Sequence, residues 1–139
     1  MNEAFLQYLW KNRLFSSQHL QTTTGEPIVI INPGKYNTDA GPDFFNARIK
    51  IGGQEWAGNV EIHIRSGLWN VHKHNSDAAY NNVILHVVYE HDKDIETPLQ
   101  TMVPTLVLKP LIDLSLFDKY KILQNATSHV ACGSQLGQI

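Results

Sequence analysis

The sequence predicts an α+β fold, an α/β sandwich in which a mixed central sheet grows from a β-hairpin and is flanked by helices. Three observations carry that prediction. Apolar and polar residues alternate from Phe45 to Arg65 on either side of Gly52-Gly53, the pattern of a two-residue hairpin. Val83 to Tyr89 is apolar except for His86, as expected of a central strand covered on both faces. Apolar residues recur at helical spacing near both ends of the chain.

Taken in order, Phe5, Leu6, Leu9, Trp10 and Leu14 fall on one side of a helix, with Asn2 as its N-cap and Glu3 in the first turn. Pro27 to Ile31 is short and β-branched and reads as a buried strand. Asn32 to Pro42 is a loop rich in Pro, Gly, Asn and Asp. In the hairpin, Phe45, Ala47, Ile49 and Ile51 share one face of the first strand. On the second strand, Val60, Ile62 and Ile64 oppose Asn59, Glu61, His63 and Arg65. Ser66 to His74 is irregular, and Ser76 or Asp77 caps a short helix through Tyr80 and Asn82. Met102 to Leu108 is a further strand, and Pro110 to Leu123 an amphipathic helix. Residues 1–123 thus form a single α/β domain. Residues 124–139 read as a polar tail or linker leading to a further region. Trp10, Phe5 and Trp56 are expected in the core.

Composition narrows the function classes. Of 139 residues, 42% are hydrophobic and 17% charged, values of a globular chain. Lys and Arg total 11 against 13 Asp and Glu, which excludes a histone-like polyanion-coating protein. The single cysteine, Cys132, allows neither an internal disulfide nor a zinc ribbon. No apolar run approaches the roughly 18 residues of a membrane span, and the N-terminal residues lack the pattern of an export signal. The expected setting is the cytoplasm, with no membrane partner, and Asn125-Ala126-Thr127 is then a chance glycosylation sequon.

The chemistry-bearing residues form three groups. Asp43 follows Pro42 at the mouth of the first hairpin strand, and Glu61-Ile62-His63 lies in the second. Two carboxylates so placed suit one hard divalent cation, Mg²⁺ or Mn²⁺, with His63 orienting a water or offsetting developing charge. A regular hairpin works against this. Its register pairs Phe45 with Val60 and Asp43 with Ile62, on the face opposite Glu61, so the site requires either that Asp43 lie outside the regular ladder or that a bulge form near Phe44. The alternative is that Asp43 caps the strand entry while Glu61, His63 and Arg65 form a solvated face. The second group is His72 and His74, a His-x-His spacing that suits Zn²⁺, Mn²⁺ or Fe²⁺, with His63, His86 and Asp77 nearby. The glutamate that a cupin-type oxygenase places shortly after such a pair is missing, and the alternative is a pair of loop histidines plus a core His86. The third is a cationic strip of Arg48, Lys50 and Arg65, with Lys73, Trp69, Tyr36 and Tyr80 as neighbours, suited to phosphates or equally an ordinary charged strand face.

The first group resembles the PD-(D/E)XK, or restriction-endonuclease-like, nucleases. By that resemblance Asp43 is the motif aspartate, Glu61 the (D/E), and His63 stands where that family has lysine. Glu3 corresponds to the auxiliary acid of some members. The resemblance implies a restriction-endonuclease-like fold over residues 1–90 and metal-dependent cleavage of nucleic-acid phosphodiesters, for which the cationic strip supplies Arg48, Lys50 and Arg65, with Tyr80, as the expected substrate contacts. A histidine in the lysine position implies an altered or degenerate activity. Residues 40–49, 58–63 and 79–86 also resemble a bacterial domain-of-unknown-function family whose members are longer. The competing expectation is a non-catalytic binding or scaffold domain on the same fold.

Overall fold

The computed structural model describes residues 1–133, with side chains described through residue 126. Helix α1 (Glu3–Asn12) begins where the sequence places it: the Asn2 side-chain oxygen accepts the Phe5 N–H at 2.8 Å. Such a cap stabilises by about 1 kcal/mol. Arg13, in the left-handed region at φ 54°, ends the helix. Strands β1 (Ile28–Asn32), β2 (Lys35–Tyr36), β3 (Phe44–Ile51), β4 (Gln54–Arg65), β5 (Val83–Glu90) and β6 (Thr105–Val107) come next. They form one mixed sheet in the order β1-β3-β4-β5-β6, with β2 paired to β3 beyond the end of β1. The β1, β3 and β4 pairings are antiparallel, whereas β5 runs parallel to β4 and β6 parallel to β5.

A parallel neighbour needs a crossover. The segment from β4 to β5 supplies it with a one-turn helix, α2 (Leu68–Val71), and 3₁₀ turns at His74–Ser76 and Ala78–Tyr80. Asp77 caps the second turn by accepting the Ala79 N–H at 3.0 Å. The two sheet faces bury different things. Phe5, Leu6, Leu9 and Trp10 of α1 pack with Ile49, Ile51, Val60, Ile62, Leu85 and Val87 in the larger core. Helix α3 (Ser115–Gly133) joins that layer through Phe117 and Tyr120, whose rings lie 4.9 and 5.2 Å from Phe5. A smaller core of Trp69, Tyr80, Val83, Ile95 and Val103 lies under the crossover. Each such large side chain stabilises the fold by about 1.5–3 kcal/mol. None of the described helices is long and apolar enough to cross a membrane.

The Gly52-Gly53 turn forms as the sequence predicts, with both residues at positive φ (60° and 88°) as a primed two-residue turn requires. From Ile51 opposite Gln54 to Ala47 opposite Gly58 the register is regular, but then it slips. Phe44, not Phe45, faces Val60, so Phe45 and Asn46 of β3 oppose Asn59 alone. This is a β-bulge, with Asn46 at φ 58° and its N–H donating to the Asn59 side chain at 3.3 Å. The slip turns Phe44 fully into the core and leaves Phe45 half-buried.

Other expectations are corrected. Trp56 is 46% exposed, because the hairpin tip projects past the start of β5, where β4 has no partner on that side. Trp69, expected beside the cationic strip, is fully buried and donates to the Glu96 carbonyl at 2.8 Å. Pro110 lies in a 3₁₀ turn, Lys109–Leu111, and α3 starts only at Ser115, then continues beyond residue 124 to Gly133. The remaining residues of the expected tail, 134–139, lie outside the described ones. The strand expected over 102–108 shortens to Thr105–Val107.

The left-handed bulge residue is the weak point of the hairpin. Asn46→Gly is expected to preserve stability, whereas Asn46→Val, β-branched at positive φ, should destabilise by about 1–2 kcal/mol. Urea unfolding of both variants checks this.

Candidate functional site

The bulge decides which face of the sheet Asp43 occupies. With Phe44 opposite Val60, Asp43 comes level with Glu61, and the two residues clasp each other across the strands. The Asp43 N–H donates to Glu61 Oε1 at 3.1 Å, and Asp43 Oδ2 accepts the Ile62 N–H at 2.9 Å. Asp43 Oδ1 accepts from the Gln7 side chain at 3.2 Å, and Tyr36 donates in turn to Gln7 at 3.3 Å. Glu3, one turn before Gln7 on α1, is half-buried and feels the charges of Asp43, His72 and His74.

Glu61 and His63 project from β4 toward the crossover, as does His86 from β5, which is in register with Glu61. The remaining oxygen of Glu61, Oε2, faces two imidazoles: His74 Nε2 at 2.9 Å and His63 Nε2 at 3.3 Å. Behind His63, its Nδ1 meets His86 Nε2 at 2.7 Å, so one of these nitrogens donates to the other. The His74 ring stacks on Tyr80 with centroids 3.7 Å apart and meets the edge of Trp69 at 5.3 Å. His72 sits exposed at the rim, its ring 5.1 Å from His63 and 5.5 Å from His74. One ring nitrogen from each of His63, His72 and His74 lies within 4.8 Å of the others, as the ligands of one metal ion would.

Burial controls the protonation of this cluster. Loss of water, together with the negative charge of Glu61, raises Asp43 to about 7. Burial likewise raises Glu61 to about 7, against hydrogen bonds from Asp43 that favour its charge. Glu3 is raised by burial and then by Asp43. Burial first, and neighbouring imidazoles second, lower His63 to about 2 and His86 to about 3. His74 is lowered by burial against the pull of Asp77, and burial raises the Tyr80 hydroxyl. At neutral pH His63, His74 and His86 are therefore neutral, and Asp43 and Glu61 sit near the middle of their titration. His74 Nδ1 and His86 Nδ1 are buried and find no hydrogen-bond partner among the described residues.

The acidic pair and the histidine group, separate in the sequence, thus come together as one, with His86 as a backing residue. Tyr80 joins as the wall against His74. The cations do not join. Arg48 pairs with Glu55, and Lys50 stands opposite Glu55 in the ladder. Both lie on the face of Glu61 but four or more residues along the strand, about 13 Å at 3.3 Å per residue. Arg65, two residues past His63, is held by Asp92 at 3.4 Å. Gln7 escapes a reading of the sequence, because nothing local marks a helix glutamine that reaches a strand thirty-six positions on. A groove of about 480 Å³ lies elsewhere, between the hairpin tip and the approach to β6, lined by Trp56, Ala57, Ile84, Met102 and Pro104 among others.

Fold and site together define an α+β domain with a buried acid–imidazole cluster on the crossover face of a mixed sheet. The chain belongs to the family described as Protein of unknown function (DUF2851), which it matches over residues 3–139. No curated protein and no solved structure is detectably similar to it.

The shifted groups give the metal-free protein an unusual pH profile. Asp43 and Glu61 keep protons up to about pH 7 that the unfolded chain loses near pH 4, so their contribution to stability is lost as pH rises through about 7. His63 and His86 act oppositely: their contribution is present above about pH 6.5 and is lost as pH falls, because only the unfolded imidazoles accept protons. The two sets largely cancel between about pH 5 and 6. Below about pH 4 the carboxyls are protonated in both states, and each imidazole costs about 1.4 kcal/mol per pH unit. Urea midpoints in the presence of a chelator should therefore be nearly level from about pH 5 to 6 and fall steeply below about pH 4.

Proposed function

We propose that this domain is a divalent-metal-dependent hydrolase of nucleic-acid phosphodiesters, with a restriction-endonuclease-like arrangement around Asp43 and Glu61. The observation that carries the reading is the bulge at Phe45 and Asn46, which sets Asp43 beside Glu61 on one face and makes a shared acidic site geometrically possible. The element order supports it as well. An antiparallel trio, β1-β3-β4, is succeeded by a crossover to parallel β5, with the aspartate entering the middle strand and Glu-x-His in the next.

The donor set fits a divalent cation: the free Glu61 oxygen and the imidazoles of His63 and His74 converge at a site largely shielded from water, with Asp43 fixing the position of Glu61. A bound cation supplies Lewis acidity toward a phosphoryl oxygen and lowers the pKa of a water. Glu61 would hold the cation through Oε2, the oxygen not used by Asp43, and the attacking water would release its proton to solvent. His63 holds Glu61 in place from one side, and His86 fixes the His63 ring. Asp43 ties β3 to β4 through the Ile62 N–H and brings Gln7 of α1 to the site. A phosphodiester strand running along β4 would meet Arg65 on one side of the cluster and the Arg48 and Lys50 end of the hairpin on the other.

A neutral imidazole in place of lysine removes a fixed positive charge from the transition state. Turnover is therefore expected to be slow and to require metal. Cleavage of plasmid DNA and of single-stranded RNA should appear with Mn²⁺ and vanish with chelator. Glu61→Gln and Asp43→Asn should each lower it on the order of 100-fold or more, the effect of removing one essential electrostatic or acid–base group. Equal cleavage by Glu61→Gln and the natural chain, or none by either, would leave the binding or scaffold role as the reading to pursue.

A further inference from the structure

We infer that this centre is built for a nitrogen-accepting transition cation, Zn²⁺ or Mn²⁺ rather than Mg²⁺, held by Glu61, His63 and His74 with His72 closing from the rim. The inference deepens the hydrolytic reading, and it rests on that reading for what the cation does but not for whether it binds.

The oxygens left free by the hydrogen bonds decide which cation fits. Asp43 Oδ1 and Oδ2 already accept from Gln7 and from the Ile62 N–H, and Glu61 Oε1 accepts from the Asp43 N–H. Among the described residues, Glu61 Oε2 is the one oxygen of the pair without an amide donor, and its neighbours are imidazole nitrogens at 2.9 and 3.3 Å. An ion reaching this oxygen meets nitrogen, not further oxygen. Mg²⁺ demands six oxygens in near-ideal octahedral geometry and gives up water reluctantly. Imidazole with one carboxylate is the donor set of Zn²⁺, Mn²⁺ and related ions.

The rings are also held as ligands are held. His63 is backed by His86 through a 2.7 Å contact, the outer hydrogen bond that fixes the orientation of a ligating imidazole. His74 is clamped between Tyr80 and Trp69. Three neutral imidazoles packed together, with a buried His74 Nδ1 lacking a partner among the described residues, are a poor arrangement for stability alone. His72 differs from the others. It is exposed on the loop after α2, yet its ring nitrogen lies within 4.8 Å of those of His63 and His74. It completes the set from the solvent side, where water or a phosphate oxygen also has access.

Ligation further requires His63 to present an Nε2 lone pair, which puts its proton on Nδ1, toward His86. The experiment uses the full chain stripped with chelator and titrated separately with Zn²⁺, Mn²⁺ and Mg²⁺ by calorimetry. Co²⁺ absorption reports ligand type, and ¹⁵N spectra of the imidazoles report the His63 tautomer. One equivalent of Zn²⁺ should bind on the order of 100-fold or more tighter than Mg²⁺. His74→Ala and His72→Ala should each weaken Zn²⁺ binding roughly tenfold or more. Because His72 is exposed, its variant folds normally by circular dichroism, and a loss of affinity there reads out ligation itself. Equal affinity for Mg²⁺ and Zn²⁺, or unchanged Zn²⁺ affinity in His72→Ala and His74→Ala, overturns the inference. Zn²⁺ bound through these histidines without cleavage of any nucleic acid upholds it and removes the hydrolytic reading. Mg²⁺-dependent cleavage lost in Asp43→Asn but untouched by His72→Ala does the reverse.

Discussion

Everything at the candidate centre depends on one extra residue in β3. A strand has a period of two, so the bulge at Phe45 and Asn46 exchanges the faces of every residue before it relative to those after it. Without it, Asp43 would point to the α1 side of the sheet and Glu61 to the crossover side. The bulge holds Asn46 in left-handed backbone, which Asn tolerates but which would cost most other side chains about 1–2 kcal/mol. Complete burial of Phe44 returns about 1.5–3 kcal/mol, and the Asn59 side chain takes up the Asn46 N–H. The bulge is also braced from outside. Strand β2 pairs with Phe44 and Phe45, and a Cβ on Gly34 would lie 2.9 Å from the Phe45 carbonyl oxygen. Gly34 therefore lets the β2 arm lie directly against the bulge, and the short arm that the sequence presents as mere loop acts as its clamp.

Stability alone does not account for what the bulge brings together. Glu61, His63, His74 and His86 are all at most 7% exposed, and two of their nitrogens lack partners among the described residues. Buried ionisable groups are expensive to desolvate, and well-packed apolar residues of the same volume usually serve a fold equally well or better. The apolar alternative is visible on the other side of the same strand, where Val60 and Ile62 pack without any such cost. Deeply buried Glu61 and His63 on one face, opposite apolar Val60 and Ile62 at equal depth on the other, form the pattern that functional sites share with perturbed titratable groups.

Much of this was legible in the residues. The Gly52-Gly53 turn, the alternation of β4, the apolar run of β5 and the Asn2 cap all report local preferences that the tertiary structure does not override. The bulge left only an ambiguous trace. Phe44 and Phe45 are adjacent and equally apolar, so alternation cannot decide which one faces inward, and Asn46 is a common residue on any strand face. Long-range folding hid the rest. Glu61 and His63 lie on β4 while His72 and His74 lie on the crossover, so they read as separate acidic and histidine-rich groups. The chain reverses over α2, and both groups meet above the sheet. Trp56 and Trp69 mislead for a related reason. Their exposure depends on whether a neighbouring strand or crossover reaches them, which side-chain chemistry does not reveal.

His63 is where the two readings of the centre part. If the position had merely lost a lysine, an isolated imidazole over an acidic pair would suffice, and the environment would still be arranged for a cation. The surroundings are arranged for a neutral ring instead. His86 meets its Nδ1, His74 lies nearly parallel to it at 5.3 Å, and His72 approaches edge-on at 5.1 Å. A lysine ammonium there would be stripped of water among His72, His74 and His86, beside Glu61. The imidazole set and His63 are therefore mutually dependent. On the proposed hydrolytic reading, they exchange the fixed charge of a lysine for the ability to ligate, and the positive charge at the centre arrives with a metal ion.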